Sequence, residues 1–306
     1  LSRLKVSENS AEASANTRRL PFLLLLFVTI SAVLVSLLEL TNRSRPFQTL
    51  DSQSSADRRQ LVCNDLRAEL DPYSHQGSAR IEVREDIGVV FFDGQIDVPS
   101  AARLTLASRQ FSDFDLVVRS LGGYVNPSIV IAETLYDKGF GKSVFVLDAC
   151  GSACTILVSP AQELVPCEYS ILLFHSSQVY RPNEQVLDYE ALESVSERRE
   201  TKRLLDRLLA QSGSPVDFAR LLECQFALTR PRVPETLRGR TQINPELRRR
   251  PFWWAPSEAE LVSLGFRLEA EGYNPRLAID TLAESGQFSD ATSRRLKDVS
   301  FSACKG

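Results

Sequence analysis

Methionine is absent from all 306 residues, and histidine occurs only twice. Because the first residue is Leu1, we expect either a start codon other than AUG or a truncated chain. The chain has neither a P-loop nor the glycine fingerprint of a dinucleotide-binding fold, and it has no internal repeats. Its 36 basic and 39 acidic residues nearly cancel, so we expect no basic surface for nucleic acid. These absences argue against nucleotide-binding and nucleic-acid-binding proteins.

One long hydrophobic run is present, the 19 residues from Leu20 to Leu38, and none of them is charged. A helix that spans a bilayer needs about 20 apolar residues, so the run predicts one transmembrane helix. More basic residues lie just before the run than just after it, which favours a cytoplasmic N-terminus at 1–19. They are Arg3, Lys5, Arg18 and Arg19 before it, and Arg43 and Arg45 after it.

A cleaved signal peptide is the alternative interpretation of this run. It fits less well, because the run exceeds the usual upper length of about 15 residues and no A-x-A-like cleavage site follows it. We therefore expect an uncleaved signal anchor. Residues 39–77 are then predicted to be a polar stalk, and the rest of the chain is predicted to lie outside the cytoplasm.

Two predicted turns between a buried strand and a helix contain glycine or serine. Gly122 and Gly123 follow an apolar strand and precede Asn126 and Pro127, which are typical of a helix start. Ser152 follows the next apolar strand and opens the next helix. The backbone N–H groups of such turns can face an anion, and the second turn places a hydroxyl at the positive end of a helix dipole.

A histidine ends the third apolar strand, since His175 directly follows the segment 170–174. A serine, a histidine and two amide donors, each at the carboxyl end of a strand, form the constellation that acyl transfer needs. The other histidine, His75, lies in a polar stretch, and we interpret it as a surface residue.

The strands and helices alternate through the middle of the chain, with a helix predicted from Pro127 to Lys138. This alternation predicts an α/β fold of repeated βαβ units with a mostly parallel sheet. A charged amphipathic helix is expected from Pro182 to Gln211, and a loop rich in proline and arginine from Thr229 to Arg250. The arginines before Pro251 are interpreted as part of a solvated loop.

In this order, Ser-x-Gly-Gly-x-Val, Gly-Ser-Ala and the strand-ending histidine resemble the Clp protease proteolytic subunit (ClpP) family of the ClpP/crotonase superfold. The match is best to its membrane-anchored periplasmic relatives with a Cys-x-Ser-Ala-Cys motif. The resemblance runs from about Arg80 to Phe266 and implies a domain at 78–268, followed by a helical tail at 269–306. It implies a serine peptidase of the bacterial inner membrane that acts on polypeptides and needs no metal or organic cofactor.

The resemblance also assigns roles to individual residues. Ser152 would be the nucleophile and His175 the general base, and the oxyanion hole would be formed by the turn at Gly122 and Gly123 together with Ala153. The helix at 182–211 would pair subunits in a homo-oligomer, with an ordinary solvated helix as the alternative.

The third member of the family's triad is an aspartate, and this sequence has no aspartate at the matching position in the segment 218–224. Glu223 is the nearest stand-in and Asp217 a poorer one. A catalytically weak or inactive ClpP-fold binding or assembly module therefore stays open as an alternative. A crotonase-type acyl-CoA enzyme, which uses the same pair of amide donors, is a further and less favoured one. Lys202 is an alternative base, as in membrane serine proteases that use a lysine.

All six cysteines lie beyond the predicted membrane span, where up to three disulfides can form. Cys150 and Cys154 bracket Ser152, so they could pair with each other, or either could reach Cys167 or Cys224. We expect at least one disulfide that includes Cys150 or Cys154. The alternatives are buried free thiols, or a zinc site formed with His175, which lacks the usual ligand spacing and would occupy the base.

Overall fold

The computed structural model describes residues 55–71, 73, 79–110, 114–137, 143–175, 196–229, 249–269 and 272–304. The predicted membrane anchor at Leu20–Leu38, the stalk up to residue 54, His75 and most of the loop 229–250 lie outside these ranges. Among the described helices, none combines the length and the hydrophobicity that a bilayer crossing requires.

A six-stranded sheet forms the centre of the fold, in the order β1-β2-β3-β4-β5, and β6 also pairs with β4. Its strands are β1 Arg80–Arg84, β2 Val89–Asp93, β3 Asp115–Ser120, β4 Ser143–Gly151, β5 Glu163–Pro166 and β6 Ile171–Leu173. Only β1 runs antiparallel to its neighbour, while the other pairings are parallel. The predicted α/β class with a mostly parallel sheet is confirmed.

Helices follow most strands, as the alternation in the sequence predicts. They are α1 Ser55–Gln60, α2 Leu66–Ala68, α3 Val98–Gln110, α4 Val125–Asp137, α5 Ala153–Val158, α6 Ser196–Ser212, α7 Phe218–Leu228, α8 Glu258–Ser263, α9 Pro275–Glu284 and α10 Asp290–Leu296. A two-stranded parallel sheet of β7 Trp253–Trp254 and β8 Val299–Ser300 completes the described structure. β3 is buried at every position and β4 at every position but its first, because helices cover both faces of a parallel sheet.

Helix α4 begins two residues before the predicted start at Pro127. The N–H group of Ser128 donates to the carbonyl oxygen of Tyr124 at 3.3 Å, so the first turn closes on Tyr124. Asn126 therefore lies inside the helix rather than at its cap.

Part of the predicted polar stalk is packed against the core. Helix α1 continues through a π-helical turn, Leu61–Asp65, into α2, and Val62, Cys63 and Leu66 on this segment are buried. A disulfide joins Cys63 to Cys167 next to β5. The prediction of a polar stalk over 39–77 is therefore wrong for residues 61–66. Val62, Cys63 and Leu66 lie on one face of the helical segment, and this face is buried.

The predicted subunit-pairing helix is described only from Ser196 onward, as α6. Leu205, Leu208 and Leu209 on this helix are buried within the same chain, and Arg207 forms an ion pair with Glu133 on α4. This apolar face therefore packs on its own subunit. Pairing of two subunits through 182–211 stays a prediction.

A cluster of buried charges connects β2, β3 and β4. The guanidinium of Arg119 donates to both carboxylate oxygens of Asp93, at 2.8 and 2.6 Å, and lies 3.5 Å from Asp148. Arg67 on α2 lies 3.0 Å from the other oxygen of Asp148. Arg119 is 1% exposed, and burial without these carboxylates would be costly because a buried charge needs a partner.

We predict that Arg119→Met lowers the free energy of unfolding by about 3–5 kcal/mol, because it leaves the Asp93 carboxylate without its partner and removes one of the two arginines that pair with Asp148. Arg84→Met is the matched control. Arg84 pairs with Asp86 and Glu69, whose side chains are both 61% exposed, and such surface pairs contribute about 1 kcal/mol or less. Urea unfolding of the disulfide-intact chains measures the loss of unfolding free energy in each variant. Equal losses in the two variants would contradict a larger contribution of the buried cluster to stability.

Candidate active site

Ser152 occupies a strained turn between β4 and α5. Its backbone has φ 56° and ψ −124°, a conformation that is rare for a residue with a side chain. Its N–H group donates to the carbonyl oxygen of Leu173 at 2.9 Å, which fixes the turn to β6. The hydroxyl is half-buried and does not cap the helix that follows. A serine on a sharp strand-to-helix turn is the arrangement that exposes a nucleophile in several hydrolases.

The glycine turn after β3 lies directly against Ser152. A Cβ atom added to Gly122 would be 2.6 Å from the Cβ of Ser152 and 2.9 Å from the amide nitrogen of Ala153. A Cβ atom added to Gly123 would be 2.0 Å from the carbonyl oxygen of Ile96. Neither position has room for a side chain, so Gly122 allows the backbone to approach the serine and Gly123 allows it to approach Ile96.

The amide groups of this turn have distinct partners. The N–H group of Leu121 donates to the hydroxyl of Tyr73 at 3.0 Å, and that of Gly122 donates to the hydroxyl of Ser120 at 3.1 Å. The N–H groups of Gly123 and Ala153 donate to no acceptor among the residues that the structure describes. Two of the three predicted oxyanion residues, Gly123 and Ala153, thus have available amides, while the amide of Gly122 is committed to Ser120.

Tyr73 is hydrogen-bonded to the residue just before the two glycines. Its phenol group is buried, and desolvation raises its pKa to about 12. The hydroxyl therefore stays protonated at neutral pH and accepts the hydrogen bond from Leu121. The Arg119 guanidinium lies over the Tyr73 ring at 5.6 Å, which connects the turn to the buried charge cluster.

His175 lies two residues beyond the end of β6 and is 6% exposed. β6 pairs in parallel with the end of β4, with Leu173 opposite Gly151, so Ser152 and His175 follow the carboxyl ends of neighbouring strands. The Ser152 hydroxyl does not form a hydrogen bond with the imidazole in the described structure. Hydrogen bonds between a catalytic serine and histidine are often long before substrate binds and shorten in the complex.

Two aromatic side chains surround the imidazole, and sequence reasoning missed both. Phe252 stacks on the ring of His175 with centroids 5.1 Å apart, and Trp253 meets it edge to face at 4.8 Å. The run of arginines before Pro251 predicts a solvated loop just before these residues. The pair of tryptophans at 253–254 was the available signal, because such large apolar side chains are usually buried.

Neither predicted stand-in for the third triad residue contacts His175. Glu223 is exposed on α7, and it forms no ion pair or hydrogen bond with His175. Asp217 accepts a hydrogen bond from the N–H group of Arg220 at 3.0 Å and is therefore the N-cap of α7. The alternative base Lys202 lies on α6, and its side chain is outside the described part of the chain.

All six cysteines form disulfides, and one of the three brackets Ser152. The pairs are Cys63–Cys167, Cys150–Cys154 and Cys224–Cys304. The expected participation of Cys150 and Cys154 is confirmed, and neither pairs with Cys167 or Cys224. The zinc alternative is wrong, because these sulfurs are not available as thiolate ligands. Three disulfides are typical of a protein that folds in an oxidising compartment.

Comparison with known proteins gives little further information. No protein-family model and no curated protein matches this chain. A solved structure described as a peptidase from Plasmodium falciparum aligns with a TM-score of 0.32 and 13% sequence identity. The alignment covers 42% of this chain and 78% of the peptidase.

We predict different effects for two disulfide removals. The Cys63–Cys167 bond spans 104 residues, so its chain-entropy contribution is about 5 kcal/mol, against about 2 kcal/mol for Cys150–Cys154, which spans 4. Replacing Cys63 and Cys167 by serine should therefore lower the melting temperature more than replacing Cys150 and Cys154 does. Replacing Cys150 and Cys154 by serine should lower the reactivity of Ser152 toward a fluorophosphonate more than replacing Cys63 and Cys167 does, because the Cys150–Cys154 bond brackets the turn at Ser152.

The two readouts are thermal unfolding and the rate of probe labelling, measured on the same full-length chains. Equal labelling rates for the Cys150→Ser, Cys154→Ser double variant and the unmodified chain would show that the short disulfide does not position Ser152.

Proposed function

We propose that the protein is a serine hydrolase of the ClpP-like type that cleaves polypeptides through an acyl-enzyme on Ser152. The strained backbone of Ser152, next to two available amide donors, carries this proposal. Strain of this kind costs about 1–3 kcal/mol and persists where the surrounding structure imposes it, often at a functional site.

The arrangement supports a two-step mechanism. His175 takes the proton of the Ser152 hydroxyl while its oxygen attacks the substrate carbonyl carbon. The N–H groups of Gly123 and Ala153 bind the developing oxyanion, and in a comparable site one such donor contributes about 3–4 kcal/mol. His175 then protonates the leaving amine, and water, deprotonated by His175, releases the acyl group and restores the serine.

We further propose that the catalytic domain is anchored by Leu20–Leu38 in the bacterial inner membrane and faces the periplasm. The uncharged run with more basic residues before it supports the orientation. The three disulfides support an oxidising side of the membrane, since they would not persist in a reducing cytoplasm. That compartment also disfavours an acyl-CoA substrate, which is not expected outside the cytoplasm.

A second candidate function is a binding or assembly module that keeps the fold without catalysis. The exposed position of Glu223 and the absence of a hydrogen bond between Ser152 and His175 in the described structure favour this candidate. A carboxylate that orients the histidine is a large part of triad catalysis, although nucleophile, base and oxyanion donors retain activity without it.

Labelling by a fluorophosphonate probe distinguishes these functions. We expect the full-length chain to be labelled and Ser152→Ala to lose the label, because the probe reacts only with an activated serine. Ser263→Ala is the matched control, since Ser263 is an exposed serine on α8 and should label as the unmodified chain does. Labelling that persists in Ser152→Ala would contradict the nucleophile assignment, and an unlabelled wild-type chain would support the binding module.

The base is tested by a second pair of variants. We expect His175→Ala to lower the labelling rate by about 100-fold or more, because general base catalysis contributes at least that factor. Lys202→Ala should leave the rate within about twofold, because this account gives the lysine no catalytic role. If the two results are reversed, the site is a serine–lysine dyad and the role of His175 is structural.

A further inference from the structure

We infer that Phe252 and Trp253 are positioning residues that hold the imidazole of His175 in the orientation needed to take the proton from Ser152. This inference rests on the proposed function, and it adds to that function how the base is oriented. Neither aromatic residue belongs to the motifs that indicate a hydrolase.

The two rings restrict different movements of the imidazole. The ring plane of Phe252 makes an angle of 29° with that of His175, so Phe252 covers one face. The ring plane of Trp253 makes an angle of 74° with it, so Trp253 meets the imidazole nearly at right angles. Rotation about the second side-chain torsion of a histidine is soft, so contacts with neighbouring rings determine the ring orientation.

Trp253 also lies beside Gly151, the residue before Ser152. A Cβ atom added to Gly151 would lie 3.4 Å from the indole ring of Trp253, which is ordinary van der Waals contact. One indole therefore packs against both His175 and the residue that precedes Ser152. We therefore expect a displacement of this ring to change the distance between the imidazole of His175 and the hydroxyl of Ser152.

The backbone of the two aromatic residues is fixed at several points. The N–H groups of Phe252 and Trp253 both donate to the carbonyl oxygen of Asp298, each at 3.1 Å. Trp254 exchanges two hydrogen bonds, of 2.8 and 2.7 Å, with Phe174, the residue before His175. The segment is thus attached to the strand that carries the base and, through β7 and β8, to the C-terminal part of the chain.

Packing within the pair adds rigidity. The rings of Phe252 and Trp253 are 4.8 Å apart and nearly perpendicular, at 87°. Phe252 is half-buried, whereas Trp253 is 5% exposed. Phe252→Leu is therefore the milder change, and it removes the stacked ring while leaving an apolar side chain of similar size.

Nuclear magnetic resonance of the histidine rings tests the contact without requiring activity. The chain contains only His75 and His175, so a spectrum of histidine labelled with 13C at the Cε1 position has two ring signals. The variant His175→Gln loses one of them and so assigns both. We expect the ring currents of Phe252 and Trp253 to shift the His175 signal from the position of an exposed histidine. In Phe252→Leu and Trp253→Leu this signal should move toward that position and broaden.

The rate of fluorophosphonate labelling at Ser152 tests the functional consequence. We expect each variant to lower this rate by about 10- to 100-fold, because small displacements of a reacting group have effects of this size. Phe266→Leu is the matched control, because Phe266 is buried, contacts Phe174 at 6.2 Å and belongs to the same aromatic group without contacting His175. Its labelling rate should stay within about twofold of wild type.

Two results would overturn the inference. One is an unchanged His175 signal in Phe252→Leu. The other is a labelling rate in Phe252→Leu no lower than that in Phe266→Leu. A wild-type chain that does not react with the probe would instead overturn the proposed function, and the histidine spectrum would still decide whether these rings hold the imidazole.

Discussion

The turn after β3 and the turn after β4 approach each other so closely that no side chain fits between them. A methyl group at Gly122 would overlap the peptide at Gly151 and the Cβ atom of Ser152, each at 2.6 Å. This contact brings the turn that contains Gly123 against the turn that contains Ser152 and Ala153. The candidate site depends on this approach, because two donors from different turns can bind one oxygen atom only if the turns are in contact.

Buried polar contacts hold both turns in place. The hydroxyl of Ser128 on α4 donates to the carbonyl oxygen of Ala153 at 2.5 Å, and that of Ser120 donates to Gly94 at 2.6 Å. The ion cluster around Arg119 joins β2, β3 and β4, and the Cys150–Cys154 bond brackets the turn at Ser152. Rigid elements of this kind are suited to a site whose donors must be fixed before the substrate arrives.

The sequence predicted the parallel sheet because apolar runs and helix starts are local signals, and both strand-to-helix turns lie where the pattern placed them. Disulfide pairing was not readable, since it depends on distances across the fold, as between Cys224 and Cys304. The aromatic residues around His175 could not be predicted for the same reason, because Phe252 lies 77 positions after His175 in the sequence and meets it only in the fold. Glu223 is the acidic residue nearest in sequence to the expected position of the triad aspartate. Its side chain is nevertheless exposed to solvent on α7.

A crystal structure of the full-length chain after reaction with a fluorophosphonate tests the central claim most directly. We expect a phosphorus atom bonded to the Ser152 side-chain oxygen. One phosphoryl oxygen should lie about 2.7–3.1 Å from the amide nitrogens of both Gly123 and Ala153, the distances expected of oxyanion donors. A phosphoryl oxygen directed away from these two amides, or an adduct on any other residue, would contradict it.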